Sequence, residues 1–225
     1  MTNPRIADAG TRRIGRRIRS PKRVEKKAVI RARLIDSAAR IIGKFGYEGC
    51  SVSRITQRAR VAHGAFYLYF KSRQALFDEI LPTLGGGMLE FISEAIRDSK
   101  GMLELERRGF TANFEYLTRR PYMYRVLHEA ELYAPTAFEK HLSSMIERYR
   151  GSLHRSLLAH QLERYSDEDL DVIAAMLIGA RDHLLTRYCV DGQRVRPLPA
   201  HVIDSYIKFV AHGLDGKGSN KNIIV

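Results

Sequence analysis

The sequence predicts an all-α protein, with an N-terminal three-helix helix-turn-helix head on a helical body and about nine helices in all. Three observations carry this. Apolar residues recur at helical spacing through most of the chain. No stretch shows sustained apolar–polar alternation with β-branched enrichment, so strands are not expected. The positive charge is confined to one end: residues 1–75 hold 19 Lys and Arg against 4 Asp and Glu, and residues 76–225 hold 19 against 21. A basic head on a near-neutral body suits an anionic partner, either nucleic acid or an anionic membrane surface.

Taken in chain order, residues 1–27 contain ten basic residues, two acids and few large apolar side chains, which predicts a disordered basic arm. Ile30, Leu34, Ala38, Ile41 and Phe45 then mark one face of a helix, and Gly46 is a fitting C-terminal stop. Ser51 is placed to cap a second helix through about Arg60, with Val52, Ile55 and Ala59 on its inner face. A tight turn leads into a third short helix over 64–70, and a fourth starts near Ser72 or Arg73. Pro82 and Gly85-Gly86-Gly87 are expected to break or kink that fourth helix. Further helices are expected over 88–98, 102–117, 122–133, 136–164, 167–189 and 200–214, punctuated by Pro121, Pro135, Pro197 and Pro199. The tail 215–225 is expected to fray. The domain plan is therefore an arm over 1–27, a head over 28–75 and a body over 76–225.

Composition excludes several classes. The longest apolar run, Val172 to Ala180, is too short to span a bilayer, and no apolar segment follows the basic N-terminus as a secretory signal requires. Cys50 and Cys189 are far apart and form no CxxC, so a disulfide scaffold and a thiolate zinc site are not expected; a reducing cytoplasm is. No GxSxG, Walker or HExxH pattern occurs, His154 and His160 have the wrong spacing for a helical metal pair, and no cofactor is implied. The acids Asp167, Glu168, Asp169 and Asp171 suit the first turn of a helix.

The run Phe45-Gly46-Tyr47-Glu48-Gly49-Cys50-Ser51-Val52, followed by Ile55, Ala59, Val61, Gly64-Ala65-Phe66-Tyr67-Leu68-Tyr69-Phe70, Arg73 and Leu76, closely resembles the DNA-binding head of tetracycline-repressor-like (TetR) regulators. The resemblance covers about 50 residues, roughly 28–76. It implies a homodimeric transcriptional repressor whose helical body binds a small molecule. Three positions depart from the family pattern. Arg60 stands where the turn usually has glycine, Ala62 where the third helix usually has a capping serine, and His63 where lysine is common.

The residue chemistry of the head points the same way. A recognition helix must be short and must present polar groups to the major groove. His63 and Tyr67, one turn apart, share an exposed face, with Phe66 and Phe70 opposite. His63 is expected to touch a base edge or phosphate, Tyr67 to donate to a phosphate, and Gly64 to permit close approach of the backbone. Tyr69 is either core or a phosphate contact. Ser51, Arg54, Arg58 and Arg73 complete the expected DNA-binding set. The arm supplies arginines suited to a minor groove, or is an unbound tail.

For the body, Phe91, Phe110, Phe114, Tyr116, Tyr124, His128 and Met145 form an aromatic-rich set expected to line an apolar cavity for a hydrophobic or aromatic effector. Leu170, Ile173, Ala174, Leu177, Ala180 and Leu184, with Val202, Tyr206 and Val210, form stripes expected to meet a second copy in a four-helix bundle. The expected partners are thus a duplex operator, a small effector and a second copy, with no membrane. The opposing reading is an effector-independent, charge-driven binder of nucleic acid or an anionic surface, recognised by salt-sensitive attachment to any polyanion.

Overall fold

The computed structural model describes residues 21–162, 164–192 and 194–214. Residues 1–20 of the expected arm, and the tail 215–225, lie outside them.

Among the described residues the chain is helical apart from one short hairpin. The head comprises α1 (Pro21–Phe45), α2 (Val52–Ala59) and a 3-10 recognition turn (His63–Leu68). The body comprises α3 (Arg73–Ile96), α4 (Met102–Arg119), α5 (Tyr122–Tyr133), α6 (Pro135–Leu158), α7 (Leu170–Tyr188) and α8 (Ala200–Leu214), with a single 3-10 turn over Asp167–Asp169. The hairpin pairs β1 (Val190–Asp191) with β2 (Arg194–Val195), antiparallel, and corrects the expectation of no strands. Two-residue strands carry no alternation for a sequence pattern to detect.

Helix α1 begins at Pro21, so residues 21–27, assigned to the arm by their charge, form its first turns. Proline suits a first turn because its missing N–H has no partner there. At the other end Gly46 takes a left-handed φ of 74° and its amide donates to the Ile42 carbonyl at 2.7 Å. Ser51 caps α2 by accepting from the Arg54 amide at 3.3 Å, and Ser72 caps α3 by accepting from the Ala75 amide at 3.0 Å.

Helix α3 does not break at Pro82 or at the glycine triplet, but runs unbroken from head to body. A proline inside a helix costs about 3 kcal/mol. Burial on both sides offsets it: Leu76, Phe77, Ile80 and Leu81 pack into the head core, and Met88 into the body core. Leu84, Tyr122 and Leu127 touch both cores, so the two are mechanically continuous.

A second tie fastens the head to α5. Buried Tyr47 donates its hydroxyl to the Val126 carbonyl at 3.3 Å and its amide to Glu129 Oε2 at 2.9 Å, and its ring stacks on Tyr133 with centroids 5.6 Å apart. Arg125 pairs with Glu129 and donates to the Lys44 carbonyl at 3.3 Å.

The stripes expected to meet a second copy face inward instead. Leu170, Ile173, Ala174, Leu177, Val202, Tyr206 and Val210 are buried within the protomer, and Ala180 and Leu184 pack half-buried against the same core. Helix α7 is apolar on more than one face, so its sequence contains a second stripe. Val172, 60% exposed, and Met176, 61% exposed, lie one turn apart on the outside, and Phe209 of α8 is 74% exposed.

Candidate DNA interface and effector cavity

In the head, Phe66 and Phe70 are buried with ring centroids 5.7 Å apart, and they fix which side of the recognition turn faces solvent. That outer side carries His63 and Tyr67, whose rings are 6.2 Å apart in an edge arrangement; Tyr67 is 55% exposed. A Cβ on Gly64 would meet nothing within 4 Å, so the glycine leaves open space on the surface rather than relieving an internal contact. Tyr69 is half-buried and packs against the head core.

The element that carries these residues is a 3-10 turn, not an α-helix. Ala62 precedes it in an extended conformation and makes no side-chain cap. Arg60 takes the left-handed position at the end of α2, with φ 53° and ψ 49°, where glycine would be unstrained.

Ser51 Oγ is engaged as a cap. Arg54 is held down, its Nη1 donating to the Gly49 carbonyl at 2.9 Å and its guanidinium 4.6 Å above the Phe45 ring. Arg58 is exposed on α2. Arg73, at the start of α3, is exposed with its guanidinium 5.4 Å from the Phe77 ring centre. Two exposed residues beside these did not stand out in the sequence: Lys71, and Leu68, which is 71% exposed. No spacing rule separates Leu68 from the inward aromatics on either side of it.

The body holds a cavity of about 830 Å³, open to solvent on one side and walled by α3, α4, α6 and α7. Helices α3 and α6 run side by side in the same direction. Gly85 lies against His141 near one end, and Met102, just beyond α3, receives the Ser156 hydroxyl at 3.4 Å near the other. Helix α4 runs the opposite way: Tyr116 donates to the Leu84 carbonyl at 3.3 Å, and Gly109 faces Ile92 and Ile96. This register orders the lining. Leu89, Asn113 and Met145 lie towards the head, and Arg97, Ser99, Ser152 and Arg155 lie at the far end. Ile96, Glu106, Arg148, Tyr149 and Arg181 line the same cavity.

Of the aromatic set expected to line the cavity, Met145 does so. Phe110, Phe114 and Tyr116 are core: Phe110 stacks on Tyr206 at 3.9 Å and lies 4.8 Å from Phe114. Phe91 is half-buried against Tyr116, at 5.6 Å. Tyr124 and His128 stack at 5.3 Å and line a smaller cavity of about 220 Å³ beside Gly43 and Arg125. Large aromatic rings gain most from close packing, so they fill the core and leave the cavity wall to smaller and polar groups. The wall is accordingly not largely apolar.

Its most unusual feature is a buried ion pair. Glu106 is 0% exposed and its Oε1 accepts from Arg181 Nη2 at 2.7 Å and from the Tyr206 hydroxyl at 2.6 Å, while Oε2 accepts from the Tyr149 hydroxyl. Four helices, α4, α6, α7 and α8, meet at this one carboxylate. Burial raises the pKa of both tyrosines, so both hydroxyls stay protonated donors. Burial works against the Arg181 charge, but the oxygens of Tyr149, Glu106 and Tyr206 outweigh it and keep the guanidinium protonated. A signal for this pair was present in the sequence. Arg181 continues the inward stripe Ile173, Ala174, Leu177, Leu185, and Glu106 continues Met102, Gly109, Phe110, Asn113; a charge on an apolar stripe is a buried charge that needs a partner.

Both cysteines are buried, with thiols pushed up to about 12 for Cys50 and about 11 for Cys189, mainly by burial, which leaves them inert at neutral pH. Among the described residues no cluster of His, Cys, Asp and Glu could hold a metal ion, and no helix is long and apolar enough to cross a membrane.

Residues 34–80, which span the capped second helix and the recognition turn, match the family model of the bacterial regulatory proteins, tetR family. The head is thus that of a TetR-family protein. The proteins that match beyond the head are transcriptional regulators. The fatty acid metabolism regulator protein of Bacillus subtilis is 25% identical over 167 residues, covering 72% of this chain and 84% of that protein. Two solved structures share the fold. FadR from Bacillus subtilis, in complex with stearoyl-CoA, superposes with a TM-score of 0.69 at 22% identity, over 81% of this chain and 98% of the other. AibR, in complex with isovaleryl coenzyme A and operator DNA, gives 0.61 at 19% identity, over 80% and 97%.

Proposed function

We propose that this TetR-family regulator is a homodimeric repressor released from its operator by an acyl-type effector held in the 830 Å³ cavity. Its DNA-binding unit is the head, residues 28–75, and its effector-binding and dimerisation unit is the body, residues 76–225. The cavity carries the reading. It suits an amphipathic molecule, with an apolar chain against Leu89, Ile92 and Met145 and an anionic group at Arg97, Arg148 and Arg155. Stearoyl-CoA and isovaleryl coenzyme A, bound by the two structural relatives, have that chemistry. The hydrophobic or aromatic effector expected from the sequence is thereby narrowed to one with a charged end.

On DNA, His63, Gly64 and Tyr67 face the major groove and Tyr69 flanks them; Ser51, Arg54, Arg58 and Arg73 position the backbone. Two copies meet through Val172, Met176 and Phe209, and set the two heads one helical turn of DNA apart. Effector and operator affinities are then coupled reciprocally through the shared cores, by way of Leu84, Tyr122 and Leu127. The effector-independent alternative gives the cavity no role. Footprinting on genomic DNA tests the reading: it expects a paired half-site protected at physiological salt, and uniform weak protection lost with added salt would contradict it.

A further inference from the structure

The cavity wall holds a neutral polar side chain that the protein leaves unanswered. On α4 the lining residues Leu105, Glu106, Gly109 and Asn113 fall on one helical face. Asn113 is the last of them towards the head, between Tyr116, which reaches the Leu84 carbonyl, and Gly109, which faces Ile92. It is 6% exposed, and among the described residues its side-chain amide has no hydrogen-bond partner. Arg181 Nε, Ser99 Oγ and His141 Nε2 are also unpartnered, but they are sealed from any probe. The Asn113 amide is not sealed, and the open space beside it is the cavity. On the α6 wall, half-buried Ser144 adds a hydroxyl that also has no partner among the described residues.

The surroundings decide what that amide meets. Leu89 and Ile92 of α3 and Met145 of α6 line the same cavity, and the effector's hydrocarbon packs against them in the reading above. Water serves an accessible amide while a cavity is open. A saturated chain that fills the cavity drives the water out and returns no hydrogen bond. The amide carbonyl and N–H are then both stranded, which opposes binding. An anion could answer only the N–H, and a cation only the carbonyl. A hydroxyl both donates and accepts, so it suits either end of the amide and the Ser144 hydroxyl as well. A site built to bond a hydroxyl rejects the analogue lacking it far more strongly than an apolar pocket rejects a missing methylene.

We infer that Asn113 is a specificity-determining residue for a hydroxyl carried on the effector's hydrocarbon, so that the cavity selects hydroxylated acyl chains over plain saturated ones. The inference rests on the effector reading above and adds the functional group and the residue that reads it. Among the described residues the Asn113 amide ties no other part of the fold together, so the group can be removed without breaking a hydrogen bond of the protein.

The test uses the full-length protein and four probes: dodecanoyl-CoA, and the same thioester with one hydroxyl near the thioester, in mid-chain or at the far end. In calorimetric titration at least one hydroxylated chain should bind about tenfold or more tighter than the plain one, the scale of one buried hydrogen bond made rather than lost. Asn113→Leu keeps the volume and removes the amide. It should bind plain dodecanoyl-CoA more tightly and lose the preference for the hydroxyl, an exchange that a merely structural role would not produce. Asn113→Ala, which cannot overpack the wall, should lose the same preference and decides the matter if the leucine variant fails to fold. A wild-type protein that binds no hydroxylated chain more tightly than the plain one overturns the inference. So does a variant that keeps the preference, or one that loses affinity for all four probes alike. If none of the probes binds the wild-type protein, the acyl effector reading itself falls, and this inference with it. If all four bind alike and release the operator, only the role of Asn113 falls.

Discussion

The imidazole of His141 lies so close to the backbone of Gly85 that a Cβ added at residue 85 would come within 2.3 Å of its Cε1. The ring sits where α6 crosses α3, just beyond the head core, and its Nε2 is buried without a partner. Gly85→Ala must therefore push apart two helices that wall the cavity. A loss of about 2 kcal/mol or more in urea denaturation is expected, within the range for overpacked cores.

The same ring makes stability depend on pH. Burial lowers the His141 pKa to about 4, against 6.5 when unfolded. Between those values the unfolded chain binds the extra proton, so stability is complete above 6.5 and falls as pH drops towards 4. The loss attributable to this group reaches about 3 kcal/mol. Denaturation midpoints measured from pH 7 to pH 4 should show a steeper fall for the wild-type protein than for His141→Leu, and parallel curves would refute the assignment.

Glu106→Gln removes the countercharge of a buried arginine and keeps the volume. Breaking a buried pair on one side costs about 3–5 kcal/mol, because the remaining charge is stranded. Tyr149→Phe, which removes one hydroxyl donor to the same carboxylate, should cost only about 1 kcal/mol. Chemical denaturation of the two variants checks the order; a Glu106→Gln protein as stable as wild type would mean the pair is not buried in solution.

The proposed dimer face is testable without DNA. Met176→Glu on α7 and Phe209→Glu on α8 each replace an exposed apolar side chain with a charge, and should convert the proposed dimer to a monomer near 26 kDa in light scattering at micromolar concentration. The inward-facing Leu177→Glu should instead unfold the protomer. A wild-type chain that is already monomeric would contradict the assembly.

Head and arm separate by salt dependence. His63→Ala and Tyr67→Ala should reduce preference for the operator over random DNA. Deleting residues 1–20 removes six arginines and Asp8. If three of those arginines meet phosphates, the slope of log affinity against log salt flattens by about 2.7 per subunit, at roughly 0.9 per contact, with the same operator chosen. An unchanged slope assigns the arm no contact.

Much of the fold was legible where local chemistry and packing agree. Pro121 and Pro135 bracket α5, and Pro199 precedes α8, so those bounds match the sequence expectation to the residue. Glycine and proline in α3 misled for the opposite reason. Pro82 is locally unfavourable, and burial on both sides of it, which no window of sequence contains, holds the helix together. The two stripes of α7 are both helical in period, and only packing against the rest of the body core decides which one turns inward. The aromatic set marked the core rather than the cavity wall. The cavity's defining residues, Glu106 and Arg181, were visible as charges on apolar stripes, but 75 positions apart, and nothing local pairs them.

The central claim is that filling the body cavity loosens the grip of the head on DNA. Operator affinity, measured by fluorescence anisotropy at fixed salt with and without saturating dodecanoyl-CoA, tests it most directly. The account predicts a fall of about tenfold or more, the coupling typical of allosteric proteins. An operator affinity unchanged while calorimetry shows the cavity ligand bound would contradict it.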